Sequence, residues 1–244
     1  MTKALTGKTI AITGASSGLG AAAARHMVEL GAKVALAARR TDRLEGLAKE
    51  LGPAARSYTV DVSKREQVSA FIESVVRDFG RLDVLVNNAG LMAIAPLSQG
   101  RSDEWDKMID INIKGVLYGI AAALPVFERQ GSGHFINVAS VAGHKVFSPG
   151  GAVYSGTKYA VRAISEGLRQ EVGSKIRVTT ISPGAIDSEL KFGSDDAQSR
   201  ERVVAFYKQA IAPSSVARAI AYAIEQPPDV DINEVVLRPT AQEF

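Results

Sequence analysis

Short apolar runs and longer stretches of helical periodicity alternate along the whole 244-residue chain. The apolar runs predict seven strands, at 9–12, 33–38, 56–60, 83–86, 134–138, 176–181 and 235–237. The stretches between them predict helices at 19–30, 43–51, 64–79, 102–129 and 154–171. This alternation indicates parallel strands joined by right-handed crossovers. We therefore expect a single α/β domain over residues 1–244, with a Rossmann-like, doubly wound parallel sheet of about seven strands and helices on both faces.

Two segments interrupt this regularity. Pro125 lies near the end of the long predicted helix, where we expect it to kink or end the helix. The segment 184–200 is polar, contains Gly193 and the pair Asp195-Asp196, and has no clear period. We expect a mobile loop there, around residues 185–200, that covers the substrate.

Composition narrows the class of protein. Hydrophobic residues make up 46% of the chain and charged residues 23%, which is typical of a globular protein with an ample core. The net charge is only +3 and the basic residues are spread out, so we expect no nucleic-acid partner. No apolar run reaches about 18 residues, and the first eight residues lack the apolar core of a secretory signal. We therefore expect a cytoplasmic protein that does not enter a membrane.

The sequence shows no sign of cysteine chemistry or of a metal site built from histidines. The chain has no cysteine, which excludes disulfides and thiolate nucleophiles. His26, His134 and His144 are scattered and show no metal-ligand spacing, so we expect no catalytic metal.

A glycine-rich loop joins the first strand to the first helix. Its residues run from Thr13 to Gly20, and Gly14, Ser16, Ser17, Gly18, Leu19 and Gly20 are the candidate cofactor contacts. Glycines let the backbone turn sharply and approach a pyrophosphate, while the helix N-terminus offers free amide hydrogens. The alternative is a tight turn with a purely structural role. In its strand–loop–helix setting, the loop predicts a dinucleotide site.

The end of the second strand predicts which nicotinamide cofactor is used. An acidic residue there would bind a ribose 2'-hydroxyl, but this chain has Arg39 and Arg40. Guanidinium groups suit a 2'-phosphate because they form paired, charge-assisted hydrogen bonds. The nearest carboxylate, Asp42, is expected to cap the following helix. The sequence thus favours NADP(H), the alternative being that both arginines are solvated loop charges.

The candidate chemistry lies on the helix predicted to begin at Tyr154. Tyr154 and Lys158 are four residues apart, so they share one helix face. A phenol normally holds its proton to about pH 10, and a neighbouring cation lowers that pKa. We therefore expect Lys158 to lower the pKa of Tyr154, which would then act as general acid or base. Ser140, upstream, would donate a hydrogen bond to a substrate oxygen.

These motifs together resemble those of the short-chain dehydrogenase/reductase family, over nearly the whole chain from about Gly7 to Pro239. The resemblance also rests on Asp61-Val62, on the run 87–90 and on Pro183-Gly184. It implies a catalytic tetrad and a set of cofactor contacts. The tetrad is Asn112, Ser140, Tyr154 and Lys158, with Asn112 in a water-mediated proton relay. The further contacts are Asp61, Val62, Asn88, Ala89, Gly90, Tyr154, Lys158, Pro183, Gly184, Ile186 and Ser188.

The resemblance implies NADPH-dependent reduction of a ketone or aldehyde to an alcohol, reversible as an alcohol dehydrogenase. Within the family, the arginine pair and the tail 234–240 are similar to those of carbonyl reductases. Two alternatives remain open, a 3-oxoacyl-thioester reductase and a non-catalytic protein that senses NADP(H). One residue more than usual, at Ser148 or Pro149, lies between Ser140 and Tyr154, which weakens inference about the substrate. The family also implies a homodimer or homotetramer built on the helices at 102–129 and 154–171.

Overall fold

The structure contains the parallel sheet that the alternation of strands and helices predicts. The structure is a computed structural model and describes residues 3–243. Its strands are β1 (Thr9–Thr13), β2 (Lys33–Ala38), β3 (Ala55–Thr59), β4 (Val84–Asn87), β5 (Gly133–Val138), β6 (Ile176–Pro183) and β7 (Glu234–Leu237). They form one parallel sheet in the order β3-β2-β1-β4-β5-β6-β7. The chain moves outward from β1 in one direction and then, from β4, in the other, so a crevice opens between the carboxyl ends of β1 and β4.

Helices cover both faces of this sheet. They are α1 (Gly18–Glu29), α2 (Thr41–Leu51), α3 (Arg65–Phe79), α4 (Ser102–Ile109), α5 (Gly115–Gln130), α6 (Ala152–Glu171), α7 (Ala197–Phe206) and α8 (Pro213–Glu225). Alternate residues of β1 serve the two cores, since Ile10 and Ile12 pack with α1 and α8 while Ala11 packs with α3, α5 and α6. All of β1 is buried, as expected for a parallel strand with helices on both sides.

The long predicted helix at 102–129 is interrupted around Asn112. Between α4 and α5, the segment Asp110–Lys114 forms a π-helical turn that contains Asn112. Such turns occur frequently at functional sites because the extra residue changes where the side chains point. Pro125 does not end the helix, which continues to Gln130. The expectation of a termination at Pro125 is therefore wrong.

The segment predicted as a mobile loop contains regular structure. Residues Glu189–Phe192 form a 3-10 turn, and α7 begins at Ala197. Asp196 caps α7 by accepting a hydrogen bond from the Ser199 backbone. Neither α7 nor α8 was predicted, although Pro213 occupies the first turn of α8, a position that proline favours. Asp42 lies in the first turn of α2, whose N-cap is Arg40, so the predicted cap is wrong.

One continuous helical stretch, Ser102–Gln130, is long and apolar enough to cross a bilayer by length and composition. The expectation that no segment has those properties therefore needs correction. Buried helices of globular proteins pass the same test, and this stretch buries Val116, Ala123 and Phe127 against the sheet. The finding is weak evidence for membrane insertion.

Candidate active site

A cleft of about 740 Å³ opens at the carboxyl end of the sheet, where the topology places the crevice. Its walls come from the loops that follow β1 to β6, together with residues of α4, of the π-helical turn, of α6 and of the segment 188–207. Loops from distant parts of the sequence meet here because parallel strands end at the same edge of the sheet.

The glycine-rich loop has the backbone geometry that the sequence predicts. Gly14 and Gly18 have φ angles of 66° and 51°, which side chains rarely adopt. A Cβ atom on Gly14 would lie 2.8 Å from Cα of Ala89, and one on Gly20 would collide with the Gly14 carbonyl oxygen. Gly14 thus lets the loop lie against β4, while Gly20 lets α1 pack against the loop.

Hydrogen bonds join this loop to the end of β4. Thr13 Oγ1 accepts from the backbone amides of Asn88 and Ala89 at 3.0 and 3.1 Å. The Asn88 side chain in turn donates to the Thr13 carbonyl oxygen at 2.8 Å. The two strands that flank the crevice are therefore held in fixed register, and Asn88 has a structural role besides lining the cleft.

Arg40 lies at the rim of the glycine-rich loop in a cluster of polar groups. Its guanidinium donates to Ser16 Oγ at 2.9 and 3.1 Å and to Ser17 Oγ at 2.6 Å. Its remaining amino group binds Glu189 at 2.6 Å, and Arg43 binds the other oxygen of the same carboxylate at 2.6 Å. These contacts hold the pKa of Glu189 at about 2, with Arg43 the largest cause and Arg40 the second.

This cluster has the chemistry of an anion site. Two arginines and the Ser17 hydroxyl bind a single carboxylate, which is ionised at neutral pH, and the Ser16 hydroxyl binds one of these arginines. A phosphate monoester requires the same donors, because guanidinium groups bind carboxylate and phosphate in the same paired geometry. Arg39 lines the same cleft, and its charge lowers the pKa of Asp61.

Asp61, two residues after the end of β3, lines one side of the cleft. Its carboxylate accepts hydrogen bonds from the backbone and side chain of Ser63 at 2.9 and 2.8 Å. Burial raises the pKa of Asp61, but the bonds from Ser63 outweigh it, so the net pKa is lowered. Asp61 is therefore a fixed, ionised acceptor with Val62 beside it in the lining.

Ser140, Tyr154 and Lys158 converge at the other end of the cleft. Ser140 follows β5, where its hydroxyl donates to the Pro183 carbonyl oxygen at 3.3 Å and accepts from the Ala142 amide at 3.1 Å. Tyr154 and Lys158 project from the first turns of α6 and are each only 5% exposed. The Lys158 Nζ lies 5.8 Å from the centre of the Tyr154 ring and donates to the Val138 carbonyl oxygen at 2.9 Å.

The pKa of Tyr154 differs from the prediction. Burial raises the pKa of Tyr154 to about 12, against a smaller lowering by a hydrogen bond with Ser140. Burial also lowers the pKa of Lys158 to about 8. The expectation that the pKa of Tyr154 is lowered is wrong for the protein alone, because burial disfavours the phenolate and is the largest cause of the shift. The phenol of Tyr154 is therefore neutral at physiological pH.

Asn112 lies behind this group rather than in the cleft lining. Its side-chain oxygen accepts from the Leu91 amide at 2.8 Å, and its nitrogen donates to the Leu91 carbonyl and to Thr157 Oγ1 at 2.8 and 3.0 Å. A Cβ atom on Gly90 would lie 3.5 Å from Asn112 Oδ1 and 3.8 Å from Lys158 Nζ. Asn112 thus joins the π-helical turn to the loop after β4 and to α6.

An apolar cluster surrounds Tyr154 and forms the end of the cleft beyond the polar groups. Its side chains include Met92, Ala142, Phe147, Leu190 and Tyr207. Phe147 meets Phe206 edge to face, with ring centres 5.7 Å apart. The end of the cleft around Tyr154 is therefore walled by apolar and aromatic side chains.

Most of the predicted site residues line this cleft, including those at 183, 184, 186 and 188 that follow β6. Gly20 and Asn112 do not line it and act through packing and hydrogen bonds instead. Sequence reasoning missed Thr13 as a hydrogen-bonding hub, Glu189 as the partner of Arg40, and the apolar wall. For Glu189, the one available sequence signal was its position directly after Ser188, a predicted cofactor contact. Within residues 3–243, no cluster of three or more His, Asp or Glu side chains could hold a metal ion.

Comparison with known proteins places the chain in a family. The family model "short chain dehydrogenase" matches residues 8–199. An uncharacterised oxidoreductase of Staphylococcus saprophyticus is 53% identical over 96% of this chain and 97% of its own length. This protein therefore belongs to the short-chain dehydrogenase family and is an oxidoreductase.

Solved structures agree with that placement. The closed form of a serine dehydrogenase complexed with NADP+ superposes with a TM-score of 0.89 at 33% identity, covering 97% of this chain and 96% of the other. An alcohol dehydrogenase from the archaeon Thermococcus sibiricus, complexed with 5-hydroxy-NADP, gives 0.86 at 32% identity, covering 97% and 98%. The similarity thus extends over nearly the whole chain.

Proposed function

We propose that this protein reduces a neutral ketone or aldehyde to an alcohol with NADPH, and that Tyr154 donates the proton. The observation that supports this most directly is the convergence of the Tyr154 phenol with Ser140 and Lys158 in an apolar pocket. That pocket is continuous with the dinucleotide cleft. In the reverse direction, the tyrosinate would accept the alcohol proton as general base.

Each polar residue of the pocket has a distinct task. The nicotinamide supplies the hydride, and the protein supplies orientation, electrostatics and the proton. Ser140 donates a hydrogen bond to the carbonyl oxygen and holds it against the Tyr154 hydroxyl. Tyr154 then transfers its proton to that oxygen, and the ammonium of Lys158 stabilises the phenolate left behind. Lys158 and the residues at Pro183 and Gly184 would also hold the nicotinamide ribose and ring.

The anion site supports NADPH over NADH. The 2'-phosphate would take the place of the Glu189 carboxylate among Arg40, Ser16 and Ser17. The NADP-bound serine dehydrogenase and alcohol dehydrogenase support the same choice. Gly14 and Gly18 fit the approach of a pyrophosphate, because their bare backbone faces the cleft.

The alternatives have less support. A reductase of thioesters on an acidic carrier protein needs a basic surface, yet the other charged residues of the lining are Glu104, Asp110, Asp195 and a single cation, Lys107. A non-catalytic sensor has no need of a buried ammonium beside a buried phenol, since desolvation of the Lys158 ammonium destabilises the fold at neutral pH.

The test of this proposal is NADPH oxidation by purified protein against a panel of neutral ketones, neutral aldehydes and 3-oxoacyl thioesters. We expect turnover with the neutral carbonyls and faster reaction with NADPH than with NADH. Turnover confined to thioesters would replace the proposal with its first alternative. Tight NADPH binding without turnover of any substrate would support the sensor.

The pH dependence of reduction should follow Lys158 rather than Tyr154. With a pKa of about 12, Tyr154 keeps its proton at all practical pH values, whereas Lys158, with a pKa of about 8, is charged below pH 8 and neutral above it. The initial rate should therefore be level below about pH 7 and fall as pH rises through 8, because the phenolate loses its stabilising cation. Lys158→Arg, which stays charged, should move the fall to higher pH, and an unchanged midpoint would contradict this assignment.

We also propose that the protein is a homo-oligomer that pairs through α5 and α6. Leu117 on α5 and Tyr159 on α6 are 41% and 40% exposed, and Ile109 at the end of α4 is 37% exposed. Large apolar side chains on neighbouring helices favour burial against another protein surface. A second copy of the chain would supply that surface by the two-fold symmetry common in oligomers.

A further inference from the structure

Tyr207 is a polar side chain in the apolar end of the cleft. It begins the 3-10 turn Tyr207–Gln209, directly after α7, and lines the cleft together with Met92 and Tyr154. Its ring meets that of Phe206 edge to face, with centres 6.0 Å apart, and Phe206 in turn contacts Phe147. Tyr207 is therefore part of the aromatic wall that faces the substrate.

The hydroxyl of Tyr207 donates its hydrogen bond to a weak acceptor. Its one hydrogen bond to the described part of the chain runs to the thioether sulfur of Met92 at 3.8 Å. A thioether is a weak acceptor, so a stronger acceptor that entered the pocket would displace it. Burial raises the pKa of Tyr207 above the ordinary value of a phenol, and the nearby Tyr154 raises it more. The hydroxyl is thus a neutral donor close to the proposed proton donor.

The backbone holds this hydroxyl in place. The Ala210 amide donates to the Tyr207 carbonyl at 3.0 Å, and the next amide, that of Ile211, donates to the Ala185 carbonyl at 3.0 Å. Ala185 follows β6, and its amide donates to the Gln242 side-chain oxygen at 2.9 Å. The turn that carries Tyr207 is therefore anchored to the same edge of the sheet as the catalytic residues.

We propose that Tyr207 is a specificity-determining residue that donates a hydrogen bond to a second, uncharged oxygen of the substrate. This inference rests on the proposed reduction of carbonyl groups and narrows its substrate class to dicarbonyl and similarly oxygenated compounds. The second oxygen is uncharged because the side chains packed near Tyr207, Met92 and Phe206 among them, are apolar or aromatic. A carboxylate at Tyr207 would lose its hydration, while the ammonium of Lys158 lies beside Tyr154 and donates to a backbone carbonyl oxygen.

The experiment compares two pairs of ketones that differ by one oxygen. One pair is 1-phenyl-1,2-propanedione and 1-phenylpropan-2-one, and the other is 1-phenyl-1,3-butanedione and 4-phenylbutan-2-one. Tyr207→Phe removes only the hydroxyl, so we expect kcat/KM for the dione of at least one pair to fall roughly 5- to 10-fold, the usual effect of one neutral hydrogen bond. The matching monoketone should change less than about two-fold.

Two controls make the comparison decisive. Tyr222→Phe alters an exposed tyrosine outside the cleft and should leave every value unchanged. NADPH affinity of Tyr207→Phe should equal that of wild type, which separates a substrate effect from a folding defect. Equal losses for dione and monoketone in both pairs, or no loss for either dione, would overturn the role of Tyr207. A wild-type protein inactive toward all four ketones would overturn the proposed reductase itself, and this inference with it.

Discussion

Tyr154→Phe should lower kcat for carbonyl reduction by roughly 10²- to 10⁴-fold, the range typical of a lost general acid. The phenyl ring keeps the packing of the apolar cluster, and the change removes only the hydroxyl that bonds Ser140. Because that hydroxyl is neutral at physiological pH, its loss leaves the charge of the cleft unchanged. We expect the dissociation constant for NADPH, measured by fluorescence, to stay within about two-fold of wild type, since no charged contact is lost.

The matched control for this variant is Tyr159→Phe on the same helix. Tyr159 is 40% exposed and does not line the cleft, so its hydroxyl should contribute nothing to turnover. Turnover of Tyr154→Phe at the wild-type rate would show that the proton comes from another group. A parallel loss of NADPH binding would indicate that Tyr154 positions the cofactor instead.

Arg40→Ala should weaken NADPH binding roughly 10- to 30-fold, the equivalent of about 1.5–2 kcal/mol for charge-assisted bonds at a partly exposed site. NADH lacks the 2'-phosphate, so its dissociation constant should change less than about two-fold. The loss has a second cause, because Glu189 keeps its charge in this variant and then faces the phosphate without Arg40. Arg39→Ala should act in the same direction, since Arg39 lines the same cleft.

A substitution of Glu189, the partner of Arg40, tests the same assignment in the opposite direction. Glu189→Gln removes the carboxylate that competes with phosphate for Arg40 and Arg43, so NADPH should bind several-fold more tightly while NADH changes little. Arg218→Ala, which alters an exposed arginine on α8 in contact with Ser215, serves as control. Equal effects of Arg40→Ala on both cofactors, or weaker NADPH binding by Glu189→Gln, would contradict the assignment of this cluster to the 2'-phosphate.

Local patterns were sufficient for the sheet and most of its helices. Each of the seven strands begins and ends within two residues of its prediction, because apolar runs buried on both faces leave a clear signal in sequence. The helix α8 was missed although its buried Val216, Ile220 and Ile224 follow helical spacing. The short α7 buries only Ser199 and Val203, so its periodicity is faint, and tertiary contacts define it.

The sequence by itself singled out chemistry-bearing residues that the structure brings together, since Gly14, Arg40, Ser140, Tyr154 and Lys158 all line one cleft. Spacing within an element and position at a strand end are local properties, and both can be read along the chain.

The tertiary structure alone decided how those residues behave. Burial, rather than the neighbouring ammonium, sets the pKa of Tyr154. Glu189 reaches Arg40 across 149 positions of sequence, and Tyr207, directly after the last residue of α7, reaches the pocket of Tyr154. Desolvation and long-range contacts depend on how the elements pack, which no local pattern encodes.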